Sequence, residues 1–229
     1  MQYIYLRDRN ELLNLTNFNK MIDEVDTCYL CERDELDRII GAAVILDNES
    51  YLSHLVLIDR RIVSRNDQTR RYSDVPEFDK VKSLRIMIDG QTYSLYHRTH
   101  LIPFRFCLDD GNLRNLLFTA TARLNSGLRI EDHYVPEKFQ IDDNVEQILK
   151  QIELDKTYFE DFETTKFLSL ADFERAVSCI LFREKDDVFK YSVECLYDGD
   201  CKIVSSVKVR LIDLTRNELK FSAILKNSL

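Results

Sequence analysis

Alternation of apolar and polar residues along the chain predicts most of its strands. Asp89 and Gly90 lie between two such segments, and an Asp-Gly pair at this place is typical of a tight β-hairpin turn. A second hairpin is predicted where Asp198, Gly199 and Asp200 separate two longer alternating segments. The predicted strands cover residues 36–46, 84–88, 92–96, 188–197 and 202–212.

Helical spacing of apolar residues predicts three helices. In the best defined of them Val145, Ile148, Leu149 and Ile152 fall on one face. Acidic residues precede this face, and negative charge suits the N-terminus of a helix. The three predicted helices cover residues 10–25, 142–152 and 170–182.

Length and composition indicate one globular α+β domain over residues 1–229, with 1–30 as an N-terminal segment. The chain has 229 residues, 45% of them hydrophobic, which is enough to bury a sizeable core. No apolar run reaches the roughly 18–20 residues that cross a bilayer, and the first residues lack a basic region followed by an apolar one. We expect a protein of the cytoplasm, without membrane association, or one exported without a classical signal peptide.

The six cysteines are irregularly spaced and do not indicate a disulfide framework, so reduced thiols are the simpler account. Cys28 and Cys31 form a Cys-x-x-Cys pair, which Cys195 and Cys201 would complete as a four-thiolate zinc site. Against zinc, the second pair is widely spaced and Cys195 falls in a predicted strand. Buried thiols and a zinc-stapled interaction protein both stay open.

The formal net charge of −8 argues against a partner rich in phosphate, because phosphate binding favours a basic surface. The charge is unevenly distributed, however. Residues 55–130 carry thirteen Lys and Arg against eight Asp and Glu, a net of +5. Nucleic acid therefore stays open as a partner of this part of the chain.

Candidate chemistry lies at His100, which follows the first predicted hairpin, and at Asn125, which comes 25 residues later. An imidazole accepts a proton near neutral pH, and a neutral amide oxygen is a suitable ligand for a hard divalent cation. The pair suits chemistry on a phosphate beside a metal ion. The alternatives are a structural or surface histidine and an asparagine that caps a helix or forms a turn.

Two segments resemble a known family. Arg98-Thr99-His100-Leu101-Ile102 resembles the Asp-Arg-Gly/Ser-His-Leu motif of the DNA/RNA non-specific endonucleases, the ββα-metal or His-Me finger nucleases related to the Serratia nuclease and the streptococcal secreted DNases. Residues 115–125 resemble that family's Asn-Leu-x-Thr-Gly-Thr-x-x-x-Asn segment, with one extra residue. The resemblance extends over residues 36–213 and implies a ββα-metal nuclease core on an antiparallel sheet.

The resemblance also implies a role for five residues. His100 would be the general base and Asn125 the direct Mg²⁺ ligand, with Mn²⁺ as a substitute. Asn115 would orient or support the site, and Arg98 would contact phosphate. Asp142 would act through metal-bound water, although a helix N-cap explains it as well.

Two positions depart from the family's pattern. His97 stands where the motif has Asp, and Thr99 stands where Gly or Ser is usual. Because side chains alternate along a strand, we expect His97 to point away from the face of Arg98, outside the site. If the motif's Asp supports the base or the metal shell, its replacement lowers or abolishes activity. The competing hypothesis is thus a nuclease-like binding or regulatory subunit that has lost catalysis.

Residues 153–187 are an insertion relative to the family and include an acidic aromatic segment at 158–163. We expect an inserted acidic helical segment that either caps the core or contacts a protein partner. Five arginines are spread over residues 60–71, either as a solvated loop with local salt bridges or as an arm that contacts phosphate.

The leading hypothesis is a Mg²⁺-dependent endonuclease that hydrolyses phosphodiester bonds of DNA with little sequence preference, with RNA left open as a second substrate. A free nuclease harms its own cell, so a regulatory or inhibitory protein partner is implied. A toxin and a defence effector are both compatible with the sequence.

Overall fold

The computed structural model describes residues 4–6, 29–36, 38–52, 55, 75, 77–106, 117–127, 145–160 and 166–229. The strands are β1 (Ile4–Leu6), β2 (Tyr29–Arg33), β3 (Ile39–Leu46), β4 (Arg85–Ile88), β5 (Gln91–Ser94), β6 (Tyr96–His100), β7 (Leu117–Thr121), β8 (Phe189–Leu196), β9 (Ser206–Asp213) and β10 (Glu218–Lys226). The helices include α1 (Phe78–Val81), α2 (Ala122–Ser126), α3 (Val145–Tyr158) and α4 (Leu170–Arg183), with a 3₁₀ turn at Phe104–Phe106. None of the described helices has the length and hydrophobicity needed to span a membrane.

A six-stranded sheet forms the centre of this mixed α/β fold, in the order β1-β2-β3-β8-β9-β10. Its neighbouring strands are antiparallel except β1 and β2, which run parallel. Alternate residues of β9 are buried, as expected of a strand with one face on the core. Val207, Val209 and Leu211 form this buried row, and each is 0% exposed.

Helix α4 covers the core face of the sheet. A capping box fixes its start: the Ser169 hydroxyl accepts from the Asp172 N–H, and the Asp172 carboxylate accepts from the Ser169 N–H. Its apolar stripe then packs in the same cluster as β8 and β9. The buried residues of the stripe include Leu170, Phe173, Ala176, Val177, Ile180 and Leu181.

Helix α3 is fixed to α4 by a buried ion pair. Asp155 is 3% exposed and accepts hydrogen bonds from Arg175, with Nε at 2.9 Å, and from Gln151 Nε2 at 2.9 Å. Arg183 donates to the backbone oxygen of Phe159 at 2.8 Å. The segment 153–187 therefore belongs to the core in its described part.

Most predicted elements are confirmed. Strands β3, β4, β5, β8 and β9 lie where alternation predicts them, and α3 and α4 lie within two or three residues of their predicted starts. The β4–β5 turn places Asp89 at φ 49° and Gly90 at φ 78°, which is the left-handed pair that the Asp-Gly signal indicates. The sequence does not predict the parallel β1–β2 pair, strands β7 and β10, or the short helices α1 and α2. The predicted helix at 10–25 and the arginine segment at 60–71 lie outside the described residues.

A cluster of charges joins the end of α4 to the β9–β10 turn. The Arg216 guanidinium donates to Asp187 Oδ2 at 2.5 Å and to Asp213 Oδ2 at 2.7 Å, and Lys220 lies 2.7 Å from Glu184 Oε2. Burial acts to raise the pKa of Asp213. Hydrogen bonds from Arg216 and the charges of Arg216 and Lys220 outweigh that effect and hold the pKa below its ordinary value.

This cluster makes stability depend on acid pH. Because the folded pKa of Asp213 lies below 3.8, its contribution is complete above that pH and is lost as the pH falls through the folded value. We expect Asp213→Asn to unfold at lower denaturant concentration at pH 7, with a smaller further loss below pH 3.8 than the wild type. Urea unfolding at a series of pH values measures this; parallel pH curves for the two proteins would contradict it.

Candidate functional site

The two segments that carry the motif fold into one hairpin–helix unit, made of β6, β7 and α2. Strands β6 and β7 are antiparallel, with Tyr96 opposite Thr121 and His100 opposite Leu117. The chain passes directly from β7 into α2. Thr121, the last residue of β7, is also the N-cap of α2, and its hydroxyl accepts a hydrogen bond from the Leu124 N–H at 3.2 Å. Gly127, at φ 82°, ends α2 in the left-handed conformation that suits a residue without a Cβ.

Asn125 and His97 meet in this unit. Asn125 Nδ2 lies 2.9 Å from His97 Nδ1, and both side chains are half-buried. An amide nitrogen only donates, so the imidazole accepts through Nδ1 and carries its proton on Nε2. Burial lowers the pKa of His97, and the positive charge of Arg85 lowers it further. The imidazole is therefore neutral at neutral pH, as an acceptor must be.

The other end of the Asn125 amide is its oxygen, Oδ1. Among the described residues, none donates a hydrogen bond to Asn125 Oδ1. A neutral amide oxygen in a half-buried position is a donor that Mg²⁺ and other hard cations accept. The chemistry of this donor fits a divalent cation.

Arg98 and His100 alternate to the opposite face of β6 from His97 and Thr99. The Arg98 guanidinium lies over the ring of Phe78 in α1, 4.6 Å from its centroid, as a cation–π contact. His100 is half-buried at the end of β6, three residues beyond His97. The rise of a strand places the two residues roughly 10 Å apart along β6. The structure thus joins Asn125 to His97 and places Arg98 and His100 on the other face.

His97, which the sequence predicts to lie outside the site, is the residue that contacts Asn125. His97 points away from Arg98, as strand alternation predicts, and its imidazole contacts Asn125, the predicted metal ligand, on that side of β6. The resembled motif could have indicated this contact, since it has an acidic side chain at position 97, and a carboxylate only accepts hydrogen bonds. Thr99, the second departure, is 2% exposed, and its hydroxyl has no hydrogen-bond partner within the described ranges.

Asn227, beyond β10, holds the outer edge of the hairpin–helix unit. Its Oδ1 accepts from the Thr121 N–H at 2.7 Å, and its Nδ2 donates to the backbone oxygens of Thr119 at 3.1 Å and Val204 at 2.7 Å. The Asn227 side chain thus pairs with backbone groups of β7, as a neighbouring strand would. It also connects β7 to the loop between β8 and β9. One of its hydrogen bonds is to Thr121, the residue that caps α2.

Two predicted site residues, Asn115 and Asp142, lie outside the described residues, as does Cys28 of the proposed zinc set. Cys195 is 4% exposed in the core and Cys201 is exposed beside the β8–β9 turn.

Within the described ranges, one group of acidic side chains is close enough to hold a metal ion: Glu184, Asp187 and Asp213. Arg216 and Lys220 already lie against these carboxylates and neutralise most of their charge. We interpret the cluster as the stabilising network described above.

No protein family model matches this chain, and no curated protein matches it. Solved structures that resemble it include an extracellular endonuclease (15% identity, 89% of this chain and 79% of that chain, TM-score 0.46). Others are NucA from Streptococcus agalactiae with no metal bound (14% identity, 90% and 72%, TM-score 0.47) and the Sda1 nuclease with a bound zinc ion (12% identity, 86% and 73%, TM-score 0.47).

Proposed function

We propose that this protein is a metal-dependent endonuclease of the ββα-metal type that hydrolyses phosphodiester bonds of DNA. The observation that carries the proposal is the hairpin–helix unit: both segments with nuclease-like motifs fold together, and Asn125 Oδ1 accepts no hydrogen bond from the described part of the chain. RNA is a second substrate to be tested alongside DNA.

Each proposed role follows from the chemistry of the side chain. His100 is the general base that takes a proton from the attacking water, since an imidazole is partly unprotonated near neutral pH. Asn125 is the direct ligand of Mg²⁺, with Mn²⁺ able to replace it. The bound ion would stabilise charge on the phosphate and on the departing oxygen.

Three further residues complete the proposed site. Arg98 would contact the phosphate, and its guanidinium is held against the Phe78 ring. Asn115 would support the site, and Asp142 would act through water on the metal. A regulatory or inhibitory protein partner is part of the proposal, because an unrestrained nuclease harms the cell that makes it.

A specific observation favours a second function, that of a nuclease-like binding subunit without catalysis. Asn125 is joined to His97, on the opposite face of β6 from His100. Together with the net charge of −8, this arrangement suits a protein that binds a partner through a fold of this kind.

Plasmid degradation separates the two functions. We expect the purified protein to convert supercoiled plasmid to nicked, linear and then fragmented DNA with Mg²⁺ or Mn²⁺, and EDTA to stop the reaction. A heat-denatured sample controls for contaminating nuclease. Intact plasmid with either metal, while Mn²⁺ still binds to the folded protein, would contradict the enzyme and support the binding subunit.

A further inference from the structure

We infer that His97 is a positioning residue that holds the Asn125 amide with its oxygen directed to the cation site. The inference rests on the proposed function and deepens it. It assigns to His97 a task that the motif comparison leaves open, since His97 replaces the acidic residue of the resembled motif.

A partner of this kind makes an asparagine a better metal ligand. Its amide has one accepting end and one donating end, and rotation by half a turn about χ2 exchanges them at little intrinsic cost. A metal ion takes only the oxygen. A fixed acceptor on the nitrogen side selects the orientation in which the oxygen is free for the ion.

His97 Nδ1 supplies this acceptor. It lies 2.9 Å from Asn125 Nδ2, in a half-buried pair where reduced contact with water strengthens the hydrogen bond. The hairpin holds the ring in place, because His97 lies opposite Ala120 in the regular β6–β7 register. The Asn125 end is also fixed, since α2 begins at the Thr121 cap and ends at Gly127.

The replacement of Asp by His in the motif keeps an acceptor for the Asn125 amide nitrogen. In both side chains an acceptor atom lies two bonds beyond Cβ: Nδ1 in neutral histidine and Oδ in aspartate. An aspartate at position 97 therefore presents an acceptor at nearly the same place and no donor. Phenylalanine keeps a ring of similar size and lacks the acceptor, so the two variants separate hydrogen bonding from packing.

Calorimetric titration with Mn²⁺ in the absence of nucleic acid tests the inference. We expect His97→Phe to weaken Mn²⁺ binding about 10–100-fold, the usual effect of removing a residue that orients a metal ligand. We expect His97→Asp to restore affinity to that of the wild type or tighter, because the carboxylate also adds negative charge. Thermal unfolding of each variant shows that it is folded.

The outcomes separate the inference from the proposed function. If Asn125→Ala abolishes Mn²⁺ binding but His97→Phe binds as the wild type does, the positioning role is overturned and the metal site stands. If Asn125→Ala binds Mn²⁺ as tightly as the wild type, the metal site itself fails and the inference fails with it. Nitrogen-15 NMR of the histidine rings in the unsubstituted protein gives a readout without any variant. We expect the Nε2–H tautomer for His97, and the Nδ1–H tautomer would overturn the inference.

Discussion

His100→Ala is expected to lower the rate of Mg²⁺-dependent plasmid cleavage by about 10²–10⁴-fold, which is the usual contribution of a general base. The residue is half-buried at the end of β6, on the same face as Arg98 by strand alternation. Removing the imidazole leaves the proposed metal ligand unchanged, so Mn²⁺ binding should stay close to that of the wild type. Initial cleavage rates at saturating Mg²⁺ measure the effect.

Met87→Ala is a matched control for this experiment, since Met87 is 72% exposed on β4 and makes no part of the proposed site. The control should cleave as the wild type does. Cleavage by His100→Ala at the wild-type rate would contradict the assignment of His100 as the general base. If both His97→Phe and His97→Asp then lost activity, His97 would be the base.

Asn227→Ala is expected to lower the free energy of unfolding by about 3 kcal/mol. The substitution leaves the Thr121 N–H and the oxygens of Thr119 and Val204 without their side-chain partner, and an unpaired buried group costs about 1–3 kcal/mol. The three residues are 1%, 3% and 2% exposed, so water reaches these groups poorly. Urea unfolding followed by circular dichroism measures the difference.

Ser228→Ala controls for a change in the same C-terminal segment, because Ser228 is exposed. It should unfold within about 0.5 kcal/mol of the wild type. If Asn227→Ala lowered the free energy of unfolding by less than about 0.5 kcal/mol, the hydrogen bonds to β7 would contribute little. The hairpin–helix unit would then be held by packing alone.

The sequence predicts the central strands well because their patterns are local. Strand β9 alternates without a break, and the Asp-Gly turn of β4–β5 selects its own backbone conformation. Strand β10 is different: Leu219 and Ile224 on it are 59% and 60% exposed, so apolar residues occur on both faces and the alternation is blurred. The parallel β1–β2 pair joins short segments far apart in sequence, which no local pattern indicates.

Only part of the candidate site can be predicted from short stretches of the sequence. The motif around His100 and Asn125 was recognisable from residue types, but the contact between Asn125 and His97 depends on the β6–β7 register and on the direction in which α2 leaves the hairpin. The Asn227 contact joins residues 106 positions apart. Segment 153–187 stays a predicted insertion relative to the family, and α4 within it packs in the central core cluster.

The most direct test of the account is the initial rate of plasmid cleavage by Asn125→Ala compared with the wild type, at saturating Mg²⁺ and equal protein concentration. If Asn125 holds the catalytic metal ion, the variant should lose at least about 100-fold in rate while its thermal unfolding stays close to that of the wild type. Cleavage by a folded Asn125→Ala protein at the wild-type rate would contradict a metal centre in the hairpin–helix unit.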